Sequence, residues 1–417
     1  MLTAIRKILP HFSDGLTLSM MAVTIIMMKR FGLDNTHTAL FVSLLALPAA
    51  LRPLMELTVA RYRDTSKVWI LTSLFVQALL LWTEAFTMHT AWWKLTTVCL
   101  LMLFFAAGTL HRIAKERFYT RHDTQRQGLL HNAVCALSLI AGAGYMTMLG
   151  GNMEVVTRNV RYSWCVVYYS ATGIWLALWI INAILLPGGP RPVHEATGMA
   201  GISRENMAAA IRTLWHGSMK RLLLPTALCR SISGMSALAV MLIVIDASRN
   251  GGCGLSPQEW ALTLGTVGVI GTCLGAAALH YANGKYTGRY KPVCAPAALC
   301  LHLATALYMS HHTTSPLLSL CTMIMLCSMF AGCCFAACKA DIHVPCKEAS
   351  APHVALKCVT RSSLTLCATL ATALTGVLLS HLGYRTFFLL LLIAALGITG
   401  TRVFYILMSR KQDRNHT

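Results

Sequence analysis

Twelve apolar stretches, each near the roughly 20 residues that an α-helix needs to cross the hydrocarbon core of a bilayer, follow one another along this chain. They run approximately from Pro10 to Met28, Thr38 to Val59, Val68 to Met88, Leu95 to His111, Leu129 to Leu149 and Trp164 to Leu186. A second set runs from Leu222 to Asp246, Pro257 to Tyr281, Pro292 to Met309, Pro316 to Cys338, His353 to His381 and Tyr384 to Met408. The pattern predicts an all-α polytopic membrane protein with twelve transmembrane helices. The 417 residues are 56% hydrophobic and 12% charged, where a soluble protein carries about 25% charged residues. That composition excludes a soluble enzyme.

The charge is lopsided, with 35 Lys and Arg against 15 Asp and Glu and a formal net charge of +20. A nucleic-acid binder gathers such charge on one face or arm; here the basic residues punctuate apolar runs, so no nucleic-acid partner is expected. Most of them fall in the loops on the side of both termini, which the positive-inside rule assigns to the cytoplasm. Nearly all of the 16 cysteines lie in apolar segments or in loops on that same side, and they read as small buried hydrophobes in a reduced setting. The amino end has a short basic region without a cleavable apolar core, so an uncleaved first helix is expected. The longest polar gap, Pro187 to Arg221, opens with PGGPRP, a helix stop, and its middle, Ser203 to His216, can form an amphipathic helix on the membrane surface. The expected division is therefore residues 1–186 as a first six-helix bundle, 187–221 as a cytoplasmic linker and 222–417 as a second bundle. Two such repeats suit the major facilitator architecture, with a central cavity that opens alternately to each side.

An ionisable side chain at mid-bilayer costs about 2.5 to 3.5 kcal/mol on insertion scales, so it must face a partner or a water-filled cavity. Arg52, Arg230, Lys357, Arg361 and Arg402 fall inside apolar stretches. Arg52 and Glu56 are four apart and can pair on one helix face, either as a structural pair or in the solute path. Arg112 and Glu116 repeat that spacing at the inner end of the fourth stretch, where a solvated pair or a gating role is open. Arg230, about eight residues into the seventh stretch, is the foremost candidate to meet an anionic group on a solute. Lys357 and Arg361 are like charges one turn apart that must reach water, at the cytoplasmic surface or in the cavity. Asp14, Glu56, Glu84 and Glu116 are the carboxylates that could load and release a proton. Glu84 stands near the outer end of the third stretch, a position open to water, and Asp14 can line the cavity or cap the first helix. Asp246 is expected to end the seventh helix at the outer surface.

Several segments resemble the muropeptide permease and acetyl-CoA transporter-like group of the major facilitator superfamily, including uncharacterised members from Bacteroides-like bacteria. LPAALRPLMELTVAR (Leu47 to Arg61) is similar to that group's second helix through Leu47, Pro48, Arg52 and Arg61, with Ala60 where an acid is usual. HFSDGL (His11 to Leu16) resembles the first-helix signature, with Thr17 where a proline is usual. HRIAKERFY (His111 to Tyr119) resembles a segment with two acids; Glu116 keeps the second and Arg112 replaces the first. CRSISG (Cys229 to Gly234) keeps the basic residue as Arg230 but has Ser233 for an acid, and the loop from His280 to Lys291 lacks another. Gly254 to Gly275 and Leu382 to Phe388 complete the likeness. The resemblance implies a bacterial inner-membrane secondary transporter for a small anionic solute, a muropeptide or a sugar or peptide conjugate, driven by protons. The lost acids bear on its coupling and gating.

Cys334, Cys338, His343 and Cys346 are metal-ligand types at a spacing that matches no compact zinc module, so no metal is expected. No cofactor and no catalytic residue set is expected either. His311 and His312 read as a solvated outer turn. Gly142, Gly144, Gly150 and Gly151, with Gly265, Gly268, Gly271 and Gly275, form small-residue stripes that let helices approach closely. A membrane sensor descended from a transporter, or an enzyme on lipid-linked substrates, are the rival readings.

Overall fold

The computed structural model describes residues 2–61, 66–119, 127–186, 203–215, 217–285, 291–348 and 353–414. Among them every regular element is helical. The first six membrane helices are α1 (Leu2–Arg30), α2 (Asn35–Ala50, continued by Arg52–Arg61), α3 (Ser66–Thr87), α4 (Trp93–Tyr119), α5 (Gln127–Leu139 through Thr147–Thr157) and α6 (Val160–Leu185). A linker helix, Arg204–Trp215, precedes α7 (Gly217–Ile245), α8 (Pro257–Leu262 through Val269–Lys285), α9 (Lys291–His311) and α10 (Leu317–Glu348). The final helical stretch, His353–Arg414, is broken at Gly383, whose φ of 70° and ψ of 167° are not helical. It holds a 55-residue apolar span, Val354–Met408. At 1.5 Å per residue such a span is about 80 Å long, far more than the ~30 Å hydrocarbon core. It is therefore two crossings, α11 (353–382) and α12 (384–414), and with the ten other spans the chain crosses twelve times.

Local chemistry sets the helix ends. Asp34 caps α2 by accepting from the His37 amide at 3.2 Å, and Asn159 caps α6 by accepting from the Tyr162 amide at 3.1 Å. Ser256 and Glu259 form a reciprocal capping box at the start of α8, with Pro257 in its first turn, the arrangement that satisfies two orphan amides at once. In α2, Pro48 lies within the helix and Leu51 interrupts it. Both α5 and α8 contain a widened turn with π-type bonding, at Ile140–Met146 and Thr263–Gly268.

Each group of six packs around its own large side chains, among them Phe104, Trp164, Tyr168 and Trp175 in the first and Trp260, Phe387 and Phe388 in the second. Outward, Phe86, Trp92, Ile184, Leu318 and Tyr405 are exposed, an apolar jacket that fits a lipid solvent. The two groups meet where α5 packs on α8 and α2 on α11. The linker helix packs on the bundle. Its stripe of Met207, Ala210 and Leu214, at spacings of three and four, packs on Ala355, Leu356 and Val359 of α11, together with Leu57 of α2 and Ala227 of α7. The PGGPRP stop and the rest of residues 187–202 lie outside the described residues, as do the basic loop positions 62–65, 120–126 and 286–290.

Candidate functional site

An even number of crossings puts both termini and the linker on one side, the linker side; the ends of α1, α7 and α11 and the starts of α2, α8 and α12 lie on the far side. There, among the described residues, a cluster of four side chains ties the two helix groups. Lys29, at the end of α1, pairs with Asp246 at 2.7 Å and donates to Asn35 Oδ1 at 2.7 Å. Asn35 Nδ2 donates to Asp246 Oδ2 at 2.7 Å and to the Tyr384 hydroxyl at 3.2 Å, and Tyr384 donates to Asp246 as well. Lys29 and Asn35 come from the first group, Asp246 and Tyr384 from the second. The Asp246 side chain is 2% exposed. The expected solvated helix end is thus corrected: Asp246 does follow α7, but it is buried because three donors from other helices converge on it.

Closer to mid-membrane, the widened turns of α5 and α8 face each other. A Cβ on Gly265 would fall 2.8 Å from the Cα of Gly144, so the two backbones touch with no room for a side chain. Of the glycine stripe in α8, Gly265 serves this contact, while Gly271 and Gly275 lie against the backbone of α10 at Met325 and Met329.

On the linker side the seam is charged. Arg52 pairs with Glu56 at 2.9 Å, as the spacing on α2 predicts, but its guanidinium also reaches Glu116 of α4 at 2.5 Å. Arg112 does not take the place expected of it beside Glu116 as a surface pair; it turns toward Asp14 of α1, 3.6 Å away. Asp14 is neither a cap nor a free cavity residue, since it sits within α1 and is clamped by Lys115 of α4. Lys115, 5% exposed, is the clearest residue that sequence reasoning missed, because its position at the inner end of α4 reads as a basic loop. His111, also buried, bridges Ser13 of α1 and Ser73 of α3 at 3.1 Å each.

From the second group, Arg361 of α11 lies within electrostatic reach of Glu116, Arg230 and Lys339. Arg230 is half-buried on α7, with its guanidinium 5.8 Å from the Phe335 ring, a cation–π distance. No carboxylate among the described residues lies within ion-pair distance of it. Lys357 stands one turn before Arg361, partly buried beside the linker helix packing. The side chains of Glu116 and Arg112 are 46% and 36% exposed. Water therefore reaches these two side chains, whereas those of Lys29 and Asp246 at the far side are 13% and 2% exposed.

Glu84 belongs to neither end. It is wholly buried within the first group, accepts from Thr97 at 2.6 Å, and its second oxygen has no hydrogen-bond partner; the wet position near a helix end that the sequence allows is not what is observed. In the second group His302 is buried between Ser236 at 3.0 Å and the carbonyl of Cys327 at 2.9 Å. No group of His, Cys, Asp and Glu among the described residues could hold a metal ion, and the side chains of His343 and Cys346 lie outside them. His311 ends α9, and the His312 ring lies tilted against Tyr308 with ring centroids 4.4 Å apart.

No family model and no curated protein matches the sequence. Solved structures do resemble it over nearly the whole chain. The nucleoside transporter NupG superposes with a TM-score of 0.68 at 14% identity, covering 96% of this chain and 98% of that one. A POT family transporter in complex with a thioalcohol-conjugated peptide gives 0.66 at 13% identity, with 97% and 95% covered, and one in complex with 5-aminolevulinic acid gives 0.67 at 11%, with 96% and 95% covered. Identities this low speak for the fold. The chain is a multi-pass membrane protein with the twelve-helix major facilitator fold that these transporters share.

Proposed function

We propose that this protein is a secondary transporter that moves a small anionic solute by alternating access, and that the structure represents the form closed on the far side and accessible from the linker side. The observation that carries the solute class is the charge of the accessible seam. Arg52, Arg112, Arg230, Lys339 and Arg361 gather there with Glu56 and Glu116, and Arg230 is left without a carboxylate among the described residues. A cationic cleft with low-dielectric walls concentrates anions, and a guanidinium pairs bidentately with carboxylate or phosphate. The sequence resemblance supports a muropeptide or another sugar or peptide conjugate, carried across a bacterial inner membrane with both termini in the cytoplasm.

Coupling to protons rests on the clamp in the first group. A proton on Asp14 removes the charge that holds Lys115 inside α1 and α4, so solute and proton can bias the same pair of helices. Glu56 and Glu116, sharing Arg52, gate the linker side; Glu84 is a second proton acceptor inside the bundle. Lys357 extends the basic approach beside Arg361.

Counterflow in proteoliposomes tests the proposal. Vesicles loaded with muropeptides, sugar phosphates or short peptides should take up labelled solute, and an imposed pH gradient should drive accumulation. Exchange that ignores the gradient would remove the protons from the account. No flux for any of these solutes, from folded protein that still binds one, would replace transport with sensing.

A further inference from the structure

Where α7 and α11 diverge beneath the linker helix they leave a cavity of about 230 Å³, apart from the seam and independent of whether the protein transports. Its walls are almost wholly apolar: Leu214 of the linker helix, Leu223 and Leu224 at the start of the α7 span, and Leu364 and Cys367 of α11. Leu224 and Cys367 are exposed on the outside of the bundle, so the cavity opens sideways, toward lipid, at the depth of the leaflet on the linker side. An apolar slot open to hydrocarbon is filled by hydrocarbon.

Two further observations narrow the occupant. Thr360 lines the same cavity, is 1% exposed, and its hydroxyl has no hydrogen-bond partner; an unpaired buried hydroxyl is costly, and a bare acyl chain offers it nothing, whereas the ester carbonyl at the head of the chain is an acceptor. The linker helix that contributes Leu214 to the cavity, Arg204–Trp215, carries Arg204 and Arg212 against the single acid Glu205. Basic segments next to a membrane helix attract anionic headgroups. We propose that the cavity is a binding site for an anionic glycerophospholipid of the leaflet on the linker side. One acyl chain fills the slot, its ester carbonyl accepts from Thr360, and its headgroup meets the basic linker.

The probe is protein reconstituted in nanodiscs of equal phosphatidylglycerol and phosphatidylethanolamine, released into the gas phase and weighed by native mass spectrometry. The wild type should retain one phosphatidylglycerol in preference to phosphatidylethanolamine. Ser363→Trp, which puts a ring into the slot from an exposed lining position, should abolish that retention, and Thr360→Val should weaken it about five-fold, the worth of one neutral hydrogen bond. Both variants should keep the wild-type elution volume and melting temperature. Equal retention of the two lipids, or unchanged retention in Ser363→Trp and Thr360→Val, would overturn the site.

Discussion

Arg230 and Lys115 answer different questions at the scale of single residues. If Arg230 meets the negative group of the solute, Arg230→Ala should raise the KM for uptake by roughly ten- to a hundred-fold, the worth of a hydrogen bond to a charged group. Arg230→Lys should recover part of it, since charge survives and the bidentate fork does not. An unchanged KM in Arg230→Ala would remove Arg230 from the solute path. Lys115 is buried against Asp14, so Lys115→Met should lower stability by about 3 kcal/mol, the low end for breaking a buried pair, because Arg112 remains 3.6 Å from Asp14. Combining it with Asp14→Asn should return much of that loss. Thermal unfolding in detergent reads both, and a double variant no more stable than the single one would mean that the pair is not the unit that matters.

Helices show why some of this was legible in the sequence and some was not. The crossings could be read because lipid demands long apolar runs, and the break between α11 and α12 could be placed between His381 and Tyr384 because one continuous run is too long for a bilayer. Arg52 and Glu56 could be paired because a single helix dictates their spacing. Glu116, by contrast, finds Arg52 across 64 residues, and Lys29 finds Asp246 from another helix group. A residue at a helix end looks solvated until the neighbouring helix is known. The glycines show the same divide: the small-residue stripe of α8 was plain, but only packing separates Gly265, which meets α5 across the seam, from Gly271 and Gly275, which meet α10. Gly265→Ala drives a methyl group into the Gly144 backbone, a strain of about 1 to 3 kcal/mol. It should lower the melting temperature and speed maleimide labelling of a cysteine introduced for Gln258 on the far side. Slower or unchanged labelling would show that this contact does not hold the far side shut.

At the scale of the whole molecule, one end of the seam holds a buried, bonded cluster and the other a partly exposed network of charges. That asymmetry is what alternating access requires of a single state: the closed side must open, and the open side close, for each solute moved. In the transport cycle proposed above, the Lys29, Asn35, Asp246 and Tyr384 cluster is the tie that has to break. Asp246→Asn leaves Lys29 buried beside a neutral amide and should shift the population toward a far-side-open form, seen as greater far-side labelling without loss of the folded state. Equal labelling in Asp246→Asn and wild type would mean that the cluster braces the fold and does not set the equilibrium.

Cross-linking tests the central claim most directly. In a cysteine-free background, Lys29→Cys with Asp246→Cys joins the two helix groups through a short bis-maleimide, and counterflow is measured before and after the reaction. Quantitative cross-linking should abolish counterflow, while each single-cysteine control treated with the same reagent continues to transport. Undiminished counterflow through fully cross-linked protein would contradict alternating access in this chain.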